Sequence, residues 1–87
     1  MSSSEQNRPH DSDFDSVVVT GGTGFLGLHT CQHFANQGWD VTAFDLKPFN
    51  EEDDTGGIEY IEGDVRDEGR VSEAIKKADA DVIVHSA

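Results

Sequence analysis

The sequence predicts an α/β fold, a parallel sheet with flanking helices, and three observations carry that expectation. Short apolar, β-branched runs alternate with segments whose apolar residues recur at helical spacing. A glycine-rich turn joins the first such run to the first such segment. The 87 residues suffice for one small domain at most, and no apolar run is long enough to cross a bilayer.

Val17-Val18-Val19, flanked by Ser16 and Thr20, forms a continuous run of the kind buried on both faces of a parallel sheet. Phe25 to Gln37 follows as a helix, with Leu28, Cys31, Phe34 and Ala35 at helical spacing and Gly38 as its stop. Asp40 to Leu46, carrying Val41, Ala43 and Phe44, is a second strand. Lys47 to Gly57 is a loop, because Pro48, Asn50, the acidic run Glu51-Glu52-Asp53-Asp54 and Gly56-Gly57 all oppose regular structure. Ile58 to Glu62 is a short third strand and Gly63 to Gly69 a polar turn. Arg70 to Ala78 is a second helix, with Val71, Ala74 and Ile75 on one face, and Asp81 to Ser86 a fourth strand around Val82-Ile83-Val84. The order is β-α-β-β-α-β, with a loop where a crossover helix could join strands two and three. Right-handed crossovers in a doubly wound sheet then give the strand order 3-2-1-4, the N-terminal half of a Rossmann fold.

Residues 1–15 read as a disordered acidic leader, and 16–87 as a partial, truncated nucleotide-binding domain. The leader has neither the positive nor the apolar region of a secretory signal. The net charge of −12, from 18 acidic and 6 basic residues, argues against nonspecific nucleic-acid binding and against docking to anionic membranes. It fits a salt-adapted cytoplasm or an ordinary acidic protein equally. The single cysteine, Cys31, has no internal disulfide partner, which suits a reducing cytoplasm.

The stretch Thr20-Gly21-Gly22-Thr23-Gly24-Phe25-Leu26-Gly27 is the strongest functional signal. Gly21, Gly24 and Gly27 form Gly-x-x-Gly-x-x-Gly at a strand-to-helix turn. There, unpaired helix amides and the helix dipole attract a pyrophosphate, and glycines let it approach. An ATP-type phosphate loop needs Lys and then Ser or Thr after the last glycine; Leu28 and His29 exclude it. Asp45 ends the second strand, 18 residues past Gly27, where a carboxylate accepts both hydroxyls of an adenosine ribose and repels a 2′-phosphate. NAD is thereby favoured over NADP, although Lys47 softens that bias. Asp64, after the third strand, suits either an adenine amino group or an ordinary turn. His29 and His33, one helical turn apart around Cys31, lack the glutamate and third ligand of a zinc site. Asp11, Asp13 and Asp15 mimic the start of a calcium loop, but Ser16 and Gly22 stand where glycine and glutamate belong. No metal is expected.

These residues resemble the extended short-chain dehydrogenase/reductase family, in particular its NAD-dependent epimerase/dehydratase group. The resemblance is carried by Thr20 to Gly27, Asp45, Gly63-Asp64-Val65-Arg66-Asp67 and Asp81-Val82-Ile83-Val84-His85-Ser86-Ala87, and covers about Ser16 to Ala87. It implies that Gly21, Gly24 and Gly27 shape the pyrophosphate turn and that Phe25 and Leu26 lend it backbone amides. It also implies that Asp45 binds the ribose and that Asp64 and Val65 hold the adenine. Ala87 closes an element resembling His-x-Ala-Ala, which lies along the cofactor toward the nicotinamide; Ser86 stands where Leu is common. The implied enzyme is a cytoplasmic homodimer transferring hydride between NAD and a small molecule, a nucleotide sugar foremost. A 3β-hydroxysteroid-type or other alcohol dehydrogenase is the alternative, and a non-catalytic NAD(P)-binding sensor a third. The family's catalytic Tyr-x-x-x-Lys is absent: the only tyrosine is Tyr60, and Asp64, not lysine, stands four residues on. The 87 residues by themselves are therefore expected to be inactive.

Overall fold

A computed structural model describes residues 15–86. The leader lies outside the described residues except for Asp15, as do Asp11, Asp13 and Ala87. The elements are β1 (Ser16–Thr20), α1 (Phe25–Asn36), β2 (Asp40–Asp45), β3 (Ile58–Glu62), α2 (Glu68–Ala78) and β4 (Val82–His85). All strand pairs are parallel and the sheet order is β3-β2-β1-β4, the expected 3-2-1-4.

The apolar runs are continuous because both faces of the sheet are covered. Val17, Val19, Val41 and Ala43 face one way and form a core with Cys31 of α1. Val18 and Phe44 face the other and pack on Ala74 of α2. All five residues of β1 are buried, as the central strand requires. The loop between β2 and β3 carries no helix. Phe49 folds it against the α1-side core, and the Gln32 side-chain amide donates to Asp54 O at 3.0 Å.

The start of the second helix and the end of the second strand differ from expectation for identifiable reasons. The second helix begins at Glu68, not Arg70, because the Asp67 carboxylate caps it by accepting from Arg70 N–H at 3.1 Å. Gly69 therefore sits inside the first turn. The second strand ends at Asp45, whose carboxylate draws the Leu46 N–H away from the ladder at 2.7 Å. The fourth strand pairs on one side only in this sheet, so Val82 and Ile83 stay 39% and 38% exposed. At the end of α1, Gly38 takes a left-handed φ of +88°, the stop expected of it. No described helix is long and apolar enough to cross a membrane.

Candidate functional site

The glycine turn lies at the carboxyl end of β1, where ligands bind open α/β sheets. Gly21 has φ +69° and its N–H donates to Phe44 O at 2.8 Å, lashing the turn to β2. A Cβ on Gly22 would lie 2.7 Å from that of Ala43, and one on Gly27 would lie 2.0 Å from Gly21 O. Strand–turn–helix contact thus demands glycine at both positions. Gly24 differs. Its Cβ would meet only Gly21 O, at an ordinary 3.6 Å, and its φ of −75° suits any residue. Packing does not demand glycine there, so the space left open is on the exposed side of the turn.

Gly24 is also the N-cap of α1, with no capping side chain and no acidic residue in the first turn. The contrast with α2 is direct, since that helix carries both Asp67 as cap and Glu68 in its first turn. The α1 end therefore offers its first-turn amides and positive dipole end outward, beside exposed Phe25 and Leu26. This is the arrangement a pyrophosphate needs.

Asp45 is fixed from several directions. Its carbonyl accepts from Gly63 N–H at 3.0 Å and from the Tyr60 hydroxyl at 3.2 Å. Its Oδ2 accepts from the Thr23 hydroxyl at 2.8 Å and the Thr23 N–H at 3.2 Å, and its Oδ1 from Leu46 N–H at 2.7 Å. Partial burial pushes this carboxyl up, but the Thr23, Lys47 and Leu46 donors outweigh it and hold the group below the usual carboxylate range. Asp45 is thus an ionised acceptor at neutral pH.

Gly21, Asp45, Leu46, Gly63, Asp64 and Val65 line one small cavity of about 160 Å³. Sequence-expected residues from three strand ends meet there. Gly63 is required because a Cβ would strike the Phe44 ring at 2.4 Å. Asp64 makes a tight turn, accepting from Arg66 N–H at 2.8 Å, and pairs with the Arg66 guanidinium at 2.7 Å. The guanidinium and then the amide of Arg66 bring its carboxyl down to about 2. A larger open hollow of about 600 Å³ lies at the opposite, amino ends of β2 and β3, by Asp40, Gly57 and Lys77, away from these groups.

His29 stacks edge-on against Phe25 and His33 against Phe34. Among the described residues, no three His, Cys, Asp or Glu side chains gather as a metal site. At the end of β4, His85 Nδ1 and the Thr20 hydroxyl are 2.9 Å apart, and the Ser86 hydroxyl donates to Thr20 O at 2.7 Å. Sequence reasoning missed Gly22, Thr23 and Leu46. Only Gly22 had a local signal, its doubling with Gly21.

Residues 17–87 match the model of the NAD dependent epimerase/dehydratase family. The chain is 40% identical over 80 residues to the decarboxylating sterol-4-alpha-carboxylate 3-dehydrogenase of Candida albicans, covering 83% of this chain and 23% of that one. It is 35% identical over 81 residues to a UDP-glucose 4-epimerase of Klebsiella pneumoniae, covering 82% and 57%. Among solved structures, UDP-glucose 4-epimerase from Brucella ovis in complex with NAD matches with a TM-score of 0.70 at 32% identity, over 82% of this chain and 22% of that one. The chain thus spans less than two thirds of the length of each of these relatives.

Proposed function

The chain belongs to the NAD dependent epimerase/dehydratase family, and from that premise we propose that it is the NAD-holding portion of an oxidoreductase, epimerase or dehydratase working by hydride transfer. Residues 16–87 are then part of the cofactor domain, and residues 1–15 its leader. The observation that carries the proposal is the meeting of an uncapped helix end, an ionised Asp45 and a small cavity at the carboxyl ends of β1, β2 and β3.

In this proposal the first-turn amides of α1, with Phe25 and Leu26 among them, receive the pyrophosphate, and the openness at Gly24 admits it. Asp45 accepts the adenosine diol. Asp64 and Val65 wall the adenine, Asp64 already braced by Arg66. The family resemblance assigns Ala87, which lies outside the described residues, to the path toward the nicotinamide. NAD supplies the hydride acceptor, and these residues bind and orient it. The one tyrosine of the 87 residues, Tyr60, spends its hydroxyl on the Asp45 carbonyl.

A nucleotide sugar is the proposed substrate, supported by the UDP-glucose epimerases among the relatives. The 40% identity to a sterol dehydrogenase supports the second reading, oxidation of a hydroxysteroid. Family resemblance alone supports a cytoplasmic homodimer.

Asp45→Ala tests the cofactor role by titration with NAD and NADP. Loss of a hydrogen bond to a charged acceptor costs about 1.5–3 kcal/mol, so NAD should bind roughly ten- to hundredfold more weakly. The gap to NADP should narrow. Unchanged NAD affinity would refute the ribose role.

A further inference from the structure

Thr23 occupies an unassigned position of the glycine pattern, yet it makes the most direct link between the two halves of the site. Its hydroxyl and its backbone N–H both donate to Asp45 Oδ2, at 2.8 and 3.2 Å. On the other carboxylate oxygen, Leu46 N–H donates at 2.7 Å, while Lys47 N–H stands at 3.5 Å. Two amides alone would fix where the carboxylate sits but hold its plane loosely. The Thr23 hydroxyl adds the third strong donor, and it comes from a β-branched side chain that is stiff at χ1. An ionised carboxylate has about four acceptor positions. Those facing the 3.5 Å contact are the least engaged, and Oδ1 lies on that side.

Resting on the proposed ribose role of Asp45, we infer that Thr23 is a positioning residue that aims the Asp45 carboxylate at the adenosine diol and thereby sets affinity for cofactors carrying that diol. The turn that receives the pyrophosphate and the acid that receives the ribose are then one unit. Moving the turn moves the acid with it.

The test titrates NAD, and its analogue lacking both adenosine ribose hydroxyls, into the parent protein, Thr23→Val, Thr23→Ser, Asp45→Ala and the double variant Thr23→Val/Asp45→Ala. Thr23→Val keeps the shape and the amide bond but removes the hydroxyl, and should weaken NAD about five- to tenfold, less than the loss of Asp45 itself, because the Thr23 and Leu46 amides still hold the carboxylate. Thr23→Ser should restore affinity to within about twofold, because it keeps the donor. In the Asp45→Ala background Thr23→Val should have no further effect, and the diol-less analogue should bind parent and Thr23→Val alike. Unchanged NAD affinity in Thr23→Val, additive losses in the double variant, or equal losses for both cofactors would each overturn the inference while Asp45→Ala still weakens NAD. If Asp45→Ala leaves NAD binding intact, the ribose role falls and the inference with it.

Discussion

Replacing Gly27 and Gly24 separately by alanine should divide stability from binding within one turn. The added carbon at Gly27 would lie 2.0 Å from Gly21 O, 2.7 Å from Gly22 Cα and 2.8 Å from Gly21 C, against ordinary contacts of 3.4–4 Å. All three neighbours are backbone atoms of the turn, so no side chain can rotate aside. Overpacking of this severity costs about 3 kcal/mol, of which improved helix propensity returns about 1 kcal/mol. The net loss of about 2 kcal/mol is a large share of the roughly 4–13 kcal/mol expected for a domain of this size. At Gly24 the new carbon meets only Gly21 O at 3.6 Å, and the backbone is already compatible. The cost there is about 0.5–1 kcal/mol of helix capping, but the methyl stands where a phosphate would approach. Urea unfolding followed by Trp39, whose ring packs on Phe34 at 4.9 Å, reads the first effect, and NAD titration the second. Gly27→Ala should lower the midpoint by about 2 M, taking a slope of about 1 kcal/mol/M. Gly24→Ala should lower it far less and weaken NAD about tenfold or more, the scale of one charge-assisted contact. Equal destabilisation by the two, or undiminished NAD binding by Gly24→Ala, would refute the division of roles.

Two further predictions concern single ionisable groups. Asp64, held down to about 2 by the guanidinium and amide of Arg66, gains its contact above the ordinary carboxylate range near about 4 and loses it as pH falls through about 2. An NMR titration should place its midpoint at about 2 in the parent and higher in Arg66→Ala, but still below the ordinary range because the amide at position 66 stays on the carboxylate, and a parent midpoint of about 4 would dissolve the pair. Burial pushes the Cys31 thiol up to about 11, so a thiol reagent at pH 8 should label it slowly in the native protein and rapidly in denaturant. Rapid native labelling would mean that α1 does not seal the sheet face.

Most of the architecture was legible because it rests on local pattern. Val17-Val18-Val19 could be buried on both faces only inside a sheet, and the helix after the glycine turn followed from its apolar spacing. The start of α2 was not, because Gly69 looks like a turn residue until Asp67 is seen to cap the helix. Nor was the exposure of Val82 and Ile83, since burial at a sheet margin depends on a neighbour and not on composition. In the site, Gly21 and Asp45 were legible through their spacing. Gly22 and Thr23 were not, because what constrains them, Ala43 and Asp45, arrives from the next strand.

The placement of β1 in mid-sheet also orders events in time. Its register with β2 joins residues 24 apart, Ser16 with Asp40, whereas its register with β4 joins Val17 with Val82, 65 apart. During synthesis at about 5–20 residues per second, the second partner emerges roughly 2–8 s after the first. Through that interval one flank of the most buried strand lacks its partner, open to pairing between chains. The cavity walls end at Val65, so they are synthesised before β4. The cavity thus precedes the pairing of β4, and under the proposed function a nascent chain holding NAD early would spend its vulnerable seconds already braced along β1 and β2.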